Sequence, residues 1–281
     1  MEKKYELLKN DTIKIDDKTL YRIRALKNID NYNVRVGDLG GYIEKEENLS
    51  HHDEAWIYDN ARVYGSASVF DNAKICDNSS VYDNAHVFGN AWICDDAVIC
   101  NDASVHGSAS VHGSASVYGN ADIDDNALVY GSARVEDACV FGNAKVCGSS
   151  SVYDNAHVFG NAWICDDVVI CNDAWICDDV HVFGNAHVFG SARIYGNSIV
   201  STDARISERT HVFIVGPIGS RNDHTTFYRN TTNGISVNCG CFNGTIEEFE
   251  KAVQKTHGHH DKHAKTYKAA IELAKLQIDL D

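Results

Sequence analysis

Gly216-Pro217-Ile218-Gly219-Ser220-Arg221 brings together the residue types of an anion cradle. Glycines let backbone N–H groups approach a charged oxygen closely, and a guanidinium grips phosphate through two parallel hydrogen bonds. Pro217 is the only proline of the chain, which marks a fixed turn. His224, Thr225, Thr226 and Tyr228 follow closely and offer donors and a ring to a base or ribose. The segment predicts a site for a small anionic or nucleotide-type ligand at Gly216, Pro217, Gly219, Ser220, Arg221, His224, Thr225, Thr226 and Tyr228. No helical pattern directly follows the glycines, unlike in a phosphate loop. The competing reading is a turn joining two modules, with Arg221 paired to an acidic neighbour.

Two further clusters carry reactive groups. Cys239-Gly-Cys241 places two thiols next to a glycine, and packing on a hairpin is the expectation there. His257, His259, His260, Asp261 and His263 could ligate a metal, but the spacing is irregular and falls in a loop. No CxxC pair occurs among the ten cysteines, which gives a structural zinc site little support. No metal site, cofactor or catalytic residue is assigned.

These residues hang on a repeat. From Ala55 the chain reads Ala-x-Val/Ile-z-Gly/Asp-Asn/Ser with a period of six. The Val/Ile slot runs from Ile57 to Val135, loses one residue before Val140, and holds from Val146 to Ile206, giving 26 hexads without an inserted loop. SVYDNAHVFGNAWICDD occurs at 80–96 and again, letter for letter, at 151–167, a tandem duplication. Ala and Val two apart face the same side of an extended segment, and Gly/Asp then Asn/Ser supplies a corner. Short strand and turn every six residues predict a parallel β-helix. Three hexads make a triangular coil, so the array gives roughly nine coils ~4.8 Å apart, a rod of about 40 Å. Seven cysteines, Cys76, Cys94, Cys100, Cys147, Cys165, Cys171 and Cys177, share slot z with Tyr, Phe and His, and read as small hydrophobes in a stacked column.

Trp56, Trp92, Trp163 and Trp175 all fall in slot x, which points outward. Every third hexad lies on one face, so Trp56, Trp92 and Trp163 predict an apolar stripe with Leu128 and Ile199, a contact surface for a homo-oligomer or for the tail. Stacking of a ligand base on that stripe is the sharper alternative.

The organisation follows: an N-terminal β-hairpin cap over 1–53, the β-helix over 54–208 and a βββαα module over 209–281. In the last, strands at HVFIVGPIG, TTFYRN and ISVNCGCF precede a helix opened by the Thr245/Glu248 capping box, ending near Lys255, and a helix from Lys262 to Ile278.

The hexads resemble those of the hexapeptide-repeat, left-handed β-helix proteins, in which an aliphatic residue is followed four positions later by a small one, as in Val63 to Ala67. Gly37, Asp38, Gly40, Gly41, Tyr42, Glu44, Asn48, Leu49 and Ser50 resemble the entry of a β-helix family of bacteria and their phages that carries a transferase label. GPIGSR at 216–221, CGCFNGT at 239–245 and Glu248/Phe249 resemble a C-terminal module of the same family. Two functions are weighed. One, read from the uninterrupted repeat and the Arg221 segment, is a non-enzymatic binding protein; the resemblance implies its sharper form by analogy, a phage protein sequestering a nucleotide immune signal. The other is an acyltransferase with an acyl-coenzyme A donor, in which outward His86, His157, His181 or His187 would act as base, although such enzymes extrude a loop that these hexads lack.

Composition narrows the partners. The net charge is −15, and residues 54–208 hold 21 acidic against 6 basic residues, so the repeat carries the whole excess. That sign repels phosphate backbones and argues against nucleic acid. No apolar run reaches membrane-spanning length, and MEKKYELLKN is no signal peptide, so a soluble cytoplasmic protein is expected. No Thr occurs from 54 to 201, which argues against an ice-binding array.

Overall fold

The computed structural model describes residues 2–201, 203–258 and 262–280. The fold is a parallel β-solenoid with an antiparallel β cap before it and a small α+β module after it. Two-residue rungs recur every six residues and three rungs make one turn, about nine turns among the described residues. The chain divides into two compact units, Met1–Gly148 and Ser149–Asp281.

In the first unit three facets stack in register. Arg62–Val63, Ser80–Val81, Val98–Ile99, Ser116–Tyr118 and Arg134–Glu136 form one. Trp56–Ile57, Lys74–Ile75, Trp92–Ile93, Ser110–Val111, Leu128–Val129 and Lys145–Val146 form another. The third runs from Ser68–Val69 through His86–Val87, Ser104–Val105 and Asp122–Ile123 to Cys139–Val140. The Val/Ile and Ala slots are buried, as the pattern requires. Corners carry Gly or Asp because the first corner residue takes a positive φ, near +58° at Asp71, Asp77 and Asp83 and +70° at Gly65. The missing residue is absorbed at one corner. Asp122 pairs with Cys139, 17 rather than 18 residues on, while Asp137 takes φ +47° and the coil continues.

Slot z builds columns. Tyr64 stacks on Tyr82 at 4.9 Å and Phe70 on Phe88 at 4.8 Å, each ring over its counterpart one coil later.

The open end is covered by β1 (Tyr5–Ile15), β2 (Lys18–Ala25) and β3 (Leu39–Ile43). β2 runs antiparallel to β1 and β3, and β3 joins the first facet parallel to Arg62–Val63. An edge that would template other chains is thereby paired. Gly40 lies so close to the first coil that a side chain there would meet the Ile57 carbonyl at 2.6 Å. Lys4 is wholly buried, and its Nζ donates to the Ala55 carbonyl at 2.7 Å and the Asp53 carbonyl at 3.1 Å. Burial lowers its pKa to about 8, partly offset by the Asp53 carboxylate.

The second unit has the same three-facet coil. Ser151–Tyr153, Val169–Ile170, His187–Val188 and Arg205–Ile206 stack in one facet, and Trp163–Ile164, His181–Val182 and Ile199–Val200 in the next. His157–Val158, Trp175–Ile176 and Arg193–Ile194 make the third. It ends in four antiparallel strands: β4 (Val212–Ile218), β5 (Asp223–Arg229), β6 (Ile235–Cys239) and β7 (Phe242–Thr245). Two helices follow, α1 (Ile246–His257) and α2 (Lys262–Gln277). The predicted third strand is therefore two, because Gly240 at φ +60° turns the chain between Cys239 and Phe242. The capping box is present, with the Glu248 N–H on Thr245 Oγ1 and the Thr245 N–H on the Glu248 carboxylate.

Candidate functional site

The Gly216–Arg221 segment is a β-hairpin tip. Gly216, Pro217 and Ile218 belong to β4, so Pro217 lies in a strand end and the turn comes after it, at Gly219–Asn222. This corrects the expectation that Pro217 itself marks the turn. The glycines have packing reasons. A Cβ on Gly216 would meet the His224 Cα at 2.7 Å, and one on Gly219 would overlap the Tyr267 hydroxyl. Ser220 and Arg221 are exposed, and an Arg221 Nη lies 3.5 Å from Cys241 Sγ. His224 is half-buried beside Asp223.

Thr225, Thr226 and Tyr228 are not available to a ligand as expected, because β5 is buried on both faces. One face meets the helices: Thr225 Oγ1 donates to Cys239 Sγ at 3.2 Å, and Phe227 packs edge-on against Phe249. The other meets the last coil. Thr226 Oγ1 accepts the Ile199 N–H at 3.1 Å, and Tyr228 Oη lies 2.9 Å from Ser201 Oγ, which also accepts from Asn243 Nδ2 at 2.7 Å. TTFY lacks polar–apolar alternation, which was a readable sign of a strand with no wet face.

His211 closes this junction. Its ring nitrogens face Ser207 and Arg229, whose Nη1 is 3.1 Å from Nε2. Arg229 can only donate, so Nε2 accepts. Burial, then the Arg229 charge, hold the imidazole below the ordinary histidine pKa.

The same unit contains a cleft of about 340 Å³ that the sequence reading missed. Its walls include Arg193 and Tyr195 from a coil, Arg209 and Thr210 from the turn leading into β4, Phe213 from β4 and Gln277 from the end of α2. Arg193 lies 5.0 Å over the Trp175 ring, and Tyr195 is 58% exposed. A stacked guanidinium keeps its in-plane N–H donors. The cleft does not include the hairpin tip.

Residues 55–71 match a family model described as the YdcK beta solenoid repeat. None of the curated proteins matches the chain. The match falls on the first coil, whose rungs and corners are those of a β-solenoid, and it carries the repeat architecture only.

The tryptophans divide. Trp92, Trp163 and Trp175 are exposed at 47, 42 and 38%, but Trp56 is 1% exposed. Trp56 is therefore removed from the predicted stripe. Slot x does point outward, yet at the first rung Tyr5 of the cap covers it edge-on, at 6.4 Å between ring centres. In the tail, Cys239 is half-buried and 3.8 Å from Tyr267 Oη, whose pKa burial lifts to about 12. His257 packs against His263 and Tyr267, while His259, His260 and Asp261 lie outside the described residues. No described helix is long and apolar enough to cross a membrane.

Proposed function

We propose that the chain is a non-enzymatic binding protein, a β-solenoid scaffold whose C-terminal unit holds a small anionic molecule of nucleotide type. The observation that carries this is the cleft with Arg193 and Arg209 in its walls and the exposed Tyr195 ring beside them. Two guanidiniums supply charge-assisted donors to phosphate, and a ring supplies a stacking face. The cleft volume of about 340 Å³ falls in the range of small-molecule sites. The exposed Ser220–Arg221 tip is a second, more open anion contact in this reading. Sequestration of a nucleotide signal by a phage protein is its sharper form and rests on the resemblance at 37–50, 216–221 and 239–249. The same reading has the chain self-associate through exposed Trp92, Trp163 and Trp175.

Calorimetry against a panel of nucleotides and acyl-coenzyme A tests it. Losing one charge-assisted contact costs about 1.5–3 kcal/mol, roughly ten- to a hundredfold in affinity. R193A and R209A should each weaken binding by that factor, with the ligand recovered intact. Equal affinity in both variants would refute the cleft, and acyl transfer to any acceptor would refute the non-enzymatic reading.

A further inference from the structure

The z slot of one facet in the N-terminal unit brings two thiols together. Cys76 follows the Lys74–Ile75 rung and Cys94 follows Trp92–Ile93, and these rungs pair in register. Cys76 Sγ, Cys94 Sγ and a carboxylate oxygen of Asp77 all lie within 4.8 Å of one another. In a tetrahedral zinc site with Zn–S near 2.3 Å, two sulfurs are about 3.8 Å apart, so modest side-chain rotation closes the set. The pair escapes a CxxC search because its members are 18 residues apart in sequence and one coil apart in space.

Trp92 supplies an independent observation. Its Nε1–H donates to Cys76 Sγ at 3.2 Å. A thiol is a weak acceptor and a thiolate a strong one, so the indole is placed to hold negative charge on that sulfur. Lys74 Nζ lies 4.9 Å from the Trp92 ring and adds positive charge to the same corner. The Asp95 N–H donates to Asp77 Oδ2 at 3.2 Å, the corner contact that Gly89 also makes to Asp71 and Gly113 to Asp95, and holds the carboxylate in place. Cys76 is buried, Cys94 half-buried and Asp77 exposed, which leaves one side open to water.

We propose that Cys76, Cys94 and Asp77 bind a zinc-class divalent ion, with water in the fourth position. Both thiols release their protons to solvent as the ion binds, and the ion ties two successive coils together. Because binding displaces both protons, it strengthens as pH rises.

The test uses the full-length chain, stripped with a chelator, kept reduced, and titrated with Cd²⁺ and then with Zn²⁺ as competitor. A cadmium–thiolate charge-transfer band should grow, and C76S/C94S should take up one equivalent fewer than the wild type. W92F should keep that equivalent at roughly tenfold lower affinity, the scale of an outer-shell loss. C94S alone, at a half-exposed position, serves if the double variant does not fold. Equal stoichiometry in wild type and cysteine variants would overturn the site. So would a Cys76–Cys94 disulfide found by mass spectrometry in the protein as purified.

Discussion

The Tyr267 hydroxyl of α2 occupies the space that a Cβ on Gly219 would need. One contact thus joins the hairpin tip to the helix and explains that glycine without any ligand. Gly219 also has φ +72°, a conformation costly for other residues.

G219A should therefore destabilise the C-terminal module by about 1–3 kcal/mol. Urea unfolding checks it. G219A/Y267A should recover part of the loss relative to the two single changes added together. Additive losses would mean that the two residues do not collide.

T226V and Y228F separate a structural role from a ligand role. T226V orphans the Ile199 N–H and should cost about 1–3 kcal/mol, whereas Y228F leaves Ser201 with its Asn243 donor and should cost about 1 kcal/mol. Nucleotide affinity of folded protein should be unchanged in both. A tenfold affinity loss without a stability loss would reverse the assignment.

The 17-residue coil depends on Asp137. Its Oδ1 accepts from the Asn120 N–H at 2.7 Å and from Asn120 Nδ2 at 3.0 Å. D137N keeps an acceptor and tolerates φ +47°, so it should be nearly neutral. D137G keeps the backbone and loses the acceptor, at about 1 kcal/mol, and D137A loses both and should cost more. Thermal denaturation gives the order, and D137A equal to D137N would contradict it.

His211 makes the C-terminal unit acid-sensitive. Its folded pKa lies below the unfolded value of about 6.5, so its contribution is present above that pH and is lost as pH falls. Arg229 disfavours the imidazolium, while Glu208 and Asp279 favour it by less. The urea midpoint should drop between pH 7.5 and 5, and H211Q should start lower but drop less. Parallel losses in the two proteins would exclude His211 as the source.

Much of this fold is legible because one local rule is repeated. Ala67, Val69 and Asp71 each need only their own hexad to be assigned to core or corner. Trp56 obeys the same rule and yet is buried, because Tyr5, 51 residues earlier, closes over the first rung. Thr226 and Tyr228 look like ligand donors until the last coil is seen to need them. Arg193 and Arg209 belong to a coil and to the turn after it, so no motif links them, and only the folded cleft does.

The 18-residue stacking offset has a kinetic consequence. Parallel sheets ordinarily fold slowly, since their strands are distant in sequence. Here a rung finds its partner 17 or 18 positions away, as Arg62 finds Ser80, which is roughly 0.06 of the chain length and just under the contact-order range of helical bundles. Once one coil exists, every later coil closes a loop of the same short length. Assembly within a unit should therefore run as a zipper, with rate set by nucleating the first coil and little affected by how many follow.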